Sequence, residues 1–153
     1  MGPRRYVRPS RGTHLFNGLL AGLARLGISV YGSRMLAVRG RTSGELRIVP
    51  VNPLTYEGAR YLVAPRGETQ WVRNLRVAKS GELRLGRQRE AFRAEELADR
   101  DKPPVLRAYL RRWAFEVKTF FAGVGADATD AELLAIAGRH PVFRIEPLVA
   151  PRA

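Results

Sequence analysis

From Met35 to Arg93 turn-forming residues cut the chain into short apolar runs, and no other feature limits the fold as much. Met35-Leu36-Ala37-Val38 suits a strand, Arg41-Thr42-Ser43-Gly44 turns the chain, and Leu46-Arg47-Ile48-Val49-Pro50-Val51 returns it as a hairpin. Glu57-Gly58-Ala59 makes the next turn before a strand from Arg60 to Ala64, which Pro65-Arg66-Gly67 ends. Trp71, Leu75 and Ala78 then follow at helical spacing, predicting a short helix capped by Thr69. Gly81 opens two further strands, Leu83 to Arg87 and Glu90 to Arg93. Runs this short and close together pair as antiparallel hairpins, which suggests an α+β fold.

Helical patterns flank this block. Residues 1–13 are basic, unpatterned and hold Pro and Gly, so they read as a flexible tail. From His14 to Ile28, Leu15, Leu19, Leu23 and Leu26 recur at helical spacing. Asp99 to Pro104 opens the longest helix with Asp101 as its expected N-cap, and Leu106, Leu110 (or Tyr109), Trp113, Val117, Phe120 and Phe121 form its apolar stripe. Thr129-Asp130-Ala131-Glu132 is a capping box that starts another helix through Ala137, and a strand from Val142 to Ile145 closes the pattern. The expected order is helix, three strands, short helix, two strands, two helices, strand. That is an α+β fold built on a small antiparallel barrel, with one domain over residues 14–153.

Composition narrows the chemistry. The 153 residues contain no cysteine, which excludes disulfide scaffolds, thiol catalysis and cysteine-held metals and fits a cytoplasmic protein. The two histidines, His14 and His140, lack ligand-spaced companions, so no metal site is expected. Lys and Arg number 27 against 14 Asp and Glu, a net charge of +13 that favours anionic partners. Only Lys79, Lys102 and Lys118 are lysines, an arginine bias that a GC-rich genome would also produce. The longest apolar stretch, Leu15 to Val30, is interrupted by Asn17, Gly18 and Arg25, so neither a transmembrane span nor a secretory signal is expected.

Two segments carry candidate chemistry. In Gly40-Arg41-Thr42-Ser43-Gly44-Glu45-Leu46-Arg47, glycines on both sides of Ser43 let backbone amides converge, and Arg41 and Arg47 approach from opposite arms. A phosphate is held by such donors and forked guanidinium groups, although the P-loop spacing is absent. The competing reading is a basic hairpin whose arginines face water. In Ala64-Pro65-Arg66-Gly67-Glu68-Thr69-Gln70-Trp71-Val72-Arg73-Asn74-Leu75, a strand end, a glycine loop and a helix start expose free amides. Trp71 is either a stacking surface or a core anchor, and Asn74 either a partner for a ring edge or a local cap.

Taken in this order and separation, the segments resemble the deazaflavin-dependent nitroreductase family, the split-barrel reductases that use coenzyme F420. The carrying residues are the Gly40 to Pro50 hairpin, the Ala64 to Gly67 loop, the Trp71-x-x-Asn74-Leu75 helix and a closing strand with proline, Pro141 to Pro147. The resemblance implies an antiparallel, FMN-binding-like split β-barrel with an N-terminal helix and helices packed on it. It implies that Arg41, Thr42, Ser43, Gly44 and Arg47 hold the coenzyme phosphate and the start of its glutamate tail. Ile48, Val49, Pro50, Val51 and Asn52 would run beneath the ring. Ala64, Pro65, Arg66 and Gly67 would line its edge, with Gln70, Trp71, Val72, Arg73 and Asn74 closing the pocket. Thr42 departs from the Lys or Arg common at its position, and the loop before Trp71 lacks a frequent proline-containing insertion.

The implied activity is hydride transfer from reduced F420 to a small-molecule acceptor: a quinone, a nitro compound or an activated alkene. Tyr31 and Tyr109 are candidate proton donors, and Trp113, Phe120 and Phe121 are either substrate-pocket or core residues, the core being favoured. Two other readings stand beside this one. The first is a non-enzymatic basic module that docks on nucleic acid or anionic membrane through the Arg4-Arg5-Tyr6-Val7-Arg8 run. The second is a split barrel that binds FMN. No specific nucleic-acid partner is expected, peripheral membrane contact is allowed by the basic N-terminal helix, and the chain is a monomer or a homodimer.

Overall fold

The structure, a computed structural model, describes residues 32–117, 121 and 124–148. The expected basic tail, the helix over residues 14–28, Tyr31 and Phe120 lie outside the described residues.

The fold is a seven-stranded sheet in the order β2-β1-β5-β6-β7-β4-β3, with every pairing antiparallel. Strand β1 (Arg34–Arg39) buries four consecutive residues, Met35 to Val38, because it lies inside the sheet and is covered on both faces. It returns as β2 (Leu46–Val51) with Arg39 opposite Leu46 and Arg34 opposite Val51. β2 is a sheet edge, the position where Pro50 costs no interior ladder donor.

Strand β3 (Leu54–Tyr56) is absent from the sequence reading. It is only three residues long and follows Pro53, too short to show an alternating pattern. It pairs with β4 (Ala59–Val63) across the expected turn, where Glu57 and Gly58 both have positive φ, at 48° and 77°. Two positive φ values at the centre of a two-residue loop match the twist of the flanking strands. After helix α1 (Gln70–Ala78), β5 (Ser80–Leu85) and β6 (Gln88–Glu96) form the next hairpin, and β6 runs three residues past the expected Arg93. β7 (Val142–Pro147) lies between β6 and β4.

Inward residues from five neighbouring strands meet in one cluster: Leu36, Leu83, Phe92, Phe143 and Leu62, closed by Val72 and Leu75 of α1. A flat sheet cannot bring five strands onto one helix, so the sheet curls into an open half-barrel. This is the split barrel that the resemblance implies.

A second cluster lies under helices α2 (Pro103–Val117) and α3 (Asp130–Ala137), with Leu106, Tyr109, Leu110, Trp113, Phe121, Leu133 and Ile136 against Leu54, Val63 and Val142. The described side chains of the expected apolar stripe, Leu106, Tyr109, Leu110, Trp113 and Phe121, therefore pack on the sheet, and Trp113 and Phe121 are core residues. Two details differ from the sequence reading. Asp101 does not cap α2 but ends a separate turn of 3₁₀-helix, Asp99–Asp101, because two prolines at 103 and 104 delay the α-helix. Trp113 leaves helical geometry at φ −130°, ψ 20°, so the stripe is not carried by one straight helix. The capping box of α3 forms as expected: Thr129 Oγ1 accepts from the Glu132 amide at 3.2 Å while the Glu132 carboxylate reaches back to the Thr129 amide. No helix among the described residues is long and apolar enough to cross a membrane.

Candidate active site

The β1–β2 turn is held tightly by its own backbone. The Gly40 amide donates to the Glu45 carbonyl at 2.8 Å, the Gly44 amide to the Gly40 carbonyl at 2.9 Å, and Ser43 Oγ accepts from the Glu45 amide at 3.1 Å. A Cβ at Gly40 would lie 3.0 Å from Ser43 Oγ and 3.2 Å from the Glu45 carbonyl oxygen, so a side chain there would push the turn apart by a few tenths of an ångström. Gly44 has φ +72°, the left-handed conformation that glycine adopts without strain.

The loop from β4 to α1 faces this turn. Its shape is fixed from below by Arg76, whose Nη1 donates to Glu68 at 2.6 Å while Nε and Nη2 donate to both Glu96 oxygens at 2.8 and 2.7 Å. Two carboxylates hold that guanidinium firmly in its charged form. The loop is fixed from the side by β7, since the Ala64 amide donates to the Pro141 carbonyl at 2.9 Å. Thr69 is the N-cap residue of α1, but its hydroxyl caps nothing; Oγ1 is buried without a hydrogen-bond partner among the described residues. The first turn of α1 has no acidic residue, so its positive end is uncompensated.

Turn and loop enclose a cavity of about 710 Å³. Its lining mixes cationic and polar residues, Arg41, Arg47, Arg66, Thr42, Ser43, Thr69 and Gln70, with the apolar Ile48, Val49, Pro50 and Trp71. The size and the mixed lining suit a coenzyme-sized ligand with a flat ring and an anionic group. The arginines of the turn and the start of α1, which no side chain caps, supply donors that a phosphate takes.

Eleven of the expected residues line this cavity: Arg41, Thr42, Ser43, Arg47, Ile48, Val49, Pro50, Arg66, Gln70, Trp71 and Asn74. Eight do not. Gly44, Val51 and Pro65 support the turn, strand and loop backbones, and exposed Arg73 stands on α1 outside the lining. Asn52 accepts from Ser33 Oγ at 3.0 Å instead. Val72 is fully buried in the barrel cluster with Ala64, because in α1 it falls on the face opposite Gln70. Gly67 is buried beneath the loop. The lining adds Gly40 and Thr69, which the sequence had marked only as a turn glycine and a helix cap.

Trp71 is both things that its sequence allowed. Its ring packs against Phe143 at 6.1 Å in the barrel cluster, and the same residue lines the cavity. Asn74 differs from both of its sequence readings. Its side-chain oxygen accepts from the Arg41 amide at 3.0 Å and from Arg41 Nη1 at 2.8 Å, so it is neither a local cap nor aimed at a ligand through that atom. Tyr109 is buried beside Trp113 and Phe121, away from the cavity, which removes it as a proton donor there. Among the described residues no cluster of His, Asp or Glu could hold a metal ion.

The comparisons with known proteins agree with this geometry. The model of a family described as F420H(2)-dependent quinone reductase matches residues 21–126. Among solved structures the chain is similar to an F420-H2 dependent reductase, FDR-A, at 17% identity and TM-score 0.54, covering 75% of this chain and 94% of that one. A chain described as a domain-swapped dimer matches at 15% identity and TM-score 0.56, over 88% of this chain and 99% of that one. A protein of unknown function from Agrobacterium tumefaciens matches at 16% identity and TM-score 0.52, over 98% of this chain and 64% of that one. At such identities these structures show the fold alone. No curated protein matches the sequence. The family match spans most of the chain: it belongs to the F420H2-dependent quinone reductases and is a reductase that uses coenzyme F420.

Proposed function

We propose that the cavity between the Gly40–Glu45 turn and the start of α1 holds F420, and that the acceptor is a quinone, a nitro compound or an activated alkene. The supporting observation is that one cavity brings the arginines of the turn together with the apolar residues Ile48, Val49, Pro50 and Trp71. Arg41, Thr42, Ser43 and Arg47 take the phosphate and the start of the glutamate tail. Ile48, Val49 and Pro50 lie under the ring, with Arg66 at its edge, and Gln70 and Trp71 close the pocket. When bound in its reduced form, the coenzyme supplies a hydride from its ring carbon. The protein's part is to bind the ring flat, orient the acceptor over it and exclude water from one face. The proton for the product comes from water or from a hydroxyl such as that of Tyr31. The enzyme is placed in the cytoplasm as a monomer or homodimer.

The test is a fluorescence titration with oxidised F420, and with FMN in parallel, at two salt concentrations. Saturable binding of F420 with a gentle salt dependence is expected. Replacing Arg41 and Arg47 together by Ala should weaken it by about 2–4 kcal/mol, the scale of two charge-assisted contacts. Unchanged affinity in that variant would remove the turn from the site. FMN binding in place of F420 would keep the barrel and change the chemistry. Binding of neither ligand, with steeply salt-dependent binding to nucleic acid, would favour the basic module.

A further inference from the structure

Arg41 does not stand alone at the mouth of the cavity. Its main-chain amide and its Nη1 both donate to one atom, Asn74 Oδ1, and Nη1 also donates to Gln70 Oε1 at 2.9 Å. The two acceptors lie one turn apart on α1, four residues being the spacing that puts side chains on one helix face. Asn74 is 4% exposed, so its amide is locked by packing and cannot follow a wandering guanidinium. Through this single oxygen the β1–β2 turn is tied to a helix 33 residues further on. The guanidinium is thereby fixed by one nitrogen, and Nε and Nη2 have no hydrogen-bond partner among the described residues.

We propose that Asn74 is a positioning residue for anion binding: its side-chain oxygen ties down the main chain at Arg41 and aims the Arg41 guanidinium at the coenzyme phosphate. The proposal rests on the reading of the turn as the phosphate site. A guanidinium on a flexible stem loses rotamer freedom when it binds an anion, and one already held by Asn74 and Gln70 has lost it beforehand. A neutral amide suits this task better than a carboxylate, because it orients Arg41 without neutralising its charge. The shared oxygen also couples side chain to backbone. If Asn74 is removed, the guanidinium and the amide at residue 41 lose their common anchor together.

The experiment compares two ligands on the full-length protein: F420, and the deazaflavin that lacks the phosphate and glutamate tail. Asn74→Ala should weaken F420 binding roughly tenfold and leave the phosphate-free deazaflavin within about twofold, the loss being that of one charge-assisted anchor. Arg41→Ala should show the same selectivity, and the double variant should lose clearly less than the sum of the two single losses, since the Asn74 oxygen acts on the phosphate through the Arg41 guanidinium. Gln70→Ala, at an exposed position where folding is not at stake, removes the second acceptor on Arg41 and should weaken F420 more than the phosphate-free deazaflavin, the difference between the two ligands being the part that runs through Arg41. If Asn74→Ala does not fold, the Gln70→Ala result decides, and no selective loss there overturns the proposal. Equal losses for both ligands, or additive losses in the double variant, would make Asn74 a purely structural residue and overturn it. If Arg41→Ala leaves F420 binding intact, the phosphate site itself is misplaced and the proposal falls with it.

Discussion

The cluster inside the half-barrel and the cluster under α2 and α3 share strands β4 and β7 but leave different things exposed. Leu62 and Phe143 point into the barrel, while their neighbours Val63 and Val142 point to the helices. The barrel cluster is mostly aliphatic, and its lid is one short helix whose first turn opens onto the cavity. The helix-covered cluster is also mostly aliphatic but lies under two helices and carries close ring contacts, with Tyr109 against Trp113 at 5.1 Å and Phe121 stacked on His140 at 4.0 Å. Buried polar groups show the same contrast. Asn74 at the barrel's edge turns its oxygen toward the cavity wall, whereas Lys102 is satisfied inside the fold, by Asp99 at 2.7 Å and the Ala137 carbonyl at 2.9 Å. One cluster builds a site, and the other holds the sheet that the site needs.

Substitutions on the two sides should therefore separate stability from binding. The largest effect is expected in the helix-covered cluster, where Leu110 is fully buried. Leu110→Ala should cost about 2–5 kcal/mol in denaturant unfolding through lost transfer energy and a cavity. F420 affinity of the folded fraction should stay unchanged. A parallel fall in affinity would show that the clusters are not independent.

Next in size is a pH effect at His140, which joins the two regions. The residue is 3% exposed, and burial pushes its pKa down from 6.5 to about 4. Hydrogen bonds to the backbone of Ala64 and Pro65 oppose the shift, and the nearby charges of Lys102 and Arg139 add to it. Above pH 6.5 both folded and unfolded states hold a neutral imidazole, and stability is complete. As pH falls toward 4, only the unfolded state takes up the proton, so stability is lost across that window, by about 3 kcal/mol at the lower end. His140→Gln should flatten this part of the stability curve, and an unaltered slope would assign it to other groups. Because His140 bonds the loop that continues into Arg66, coenzyme affinity should weaken over the same window if the two regions are coupled.

The smallest effect is expected at the start of α3, far from the cavity. Thr129→Ala removes the capping hydroxyl and should cost about 1 kcal/mol with no change in F420 binding. A loss much above this would mean that Thr129 has a role beyond its helix.

Residues close together in sequence determined a great deal here. Turn residues and short apolar runs placed β1, β2, the short α1 and the α3 capping box, because backbone conformation and hydrogen bonding over a few residues decide those features. The Gly40–Arg47 segment already carried the donors of an anion site, since they all belong to one hairpin. Strand β3 was not legible because three residues become a strand only when β4 supplies the partner. The tertiary structure alone decided that Thr69 keeps an unsatisfied hydroxyl in the cavity wall and that Val72 turns inward. It alone decided that Asn74 meets Arg41, a contact 33 residues apart in the chain. Local chemistry names the groups a site can use, but the curl of the sheet decides which of them converge, because that curl brings the helix and the turn within hydrogen-bonding distance.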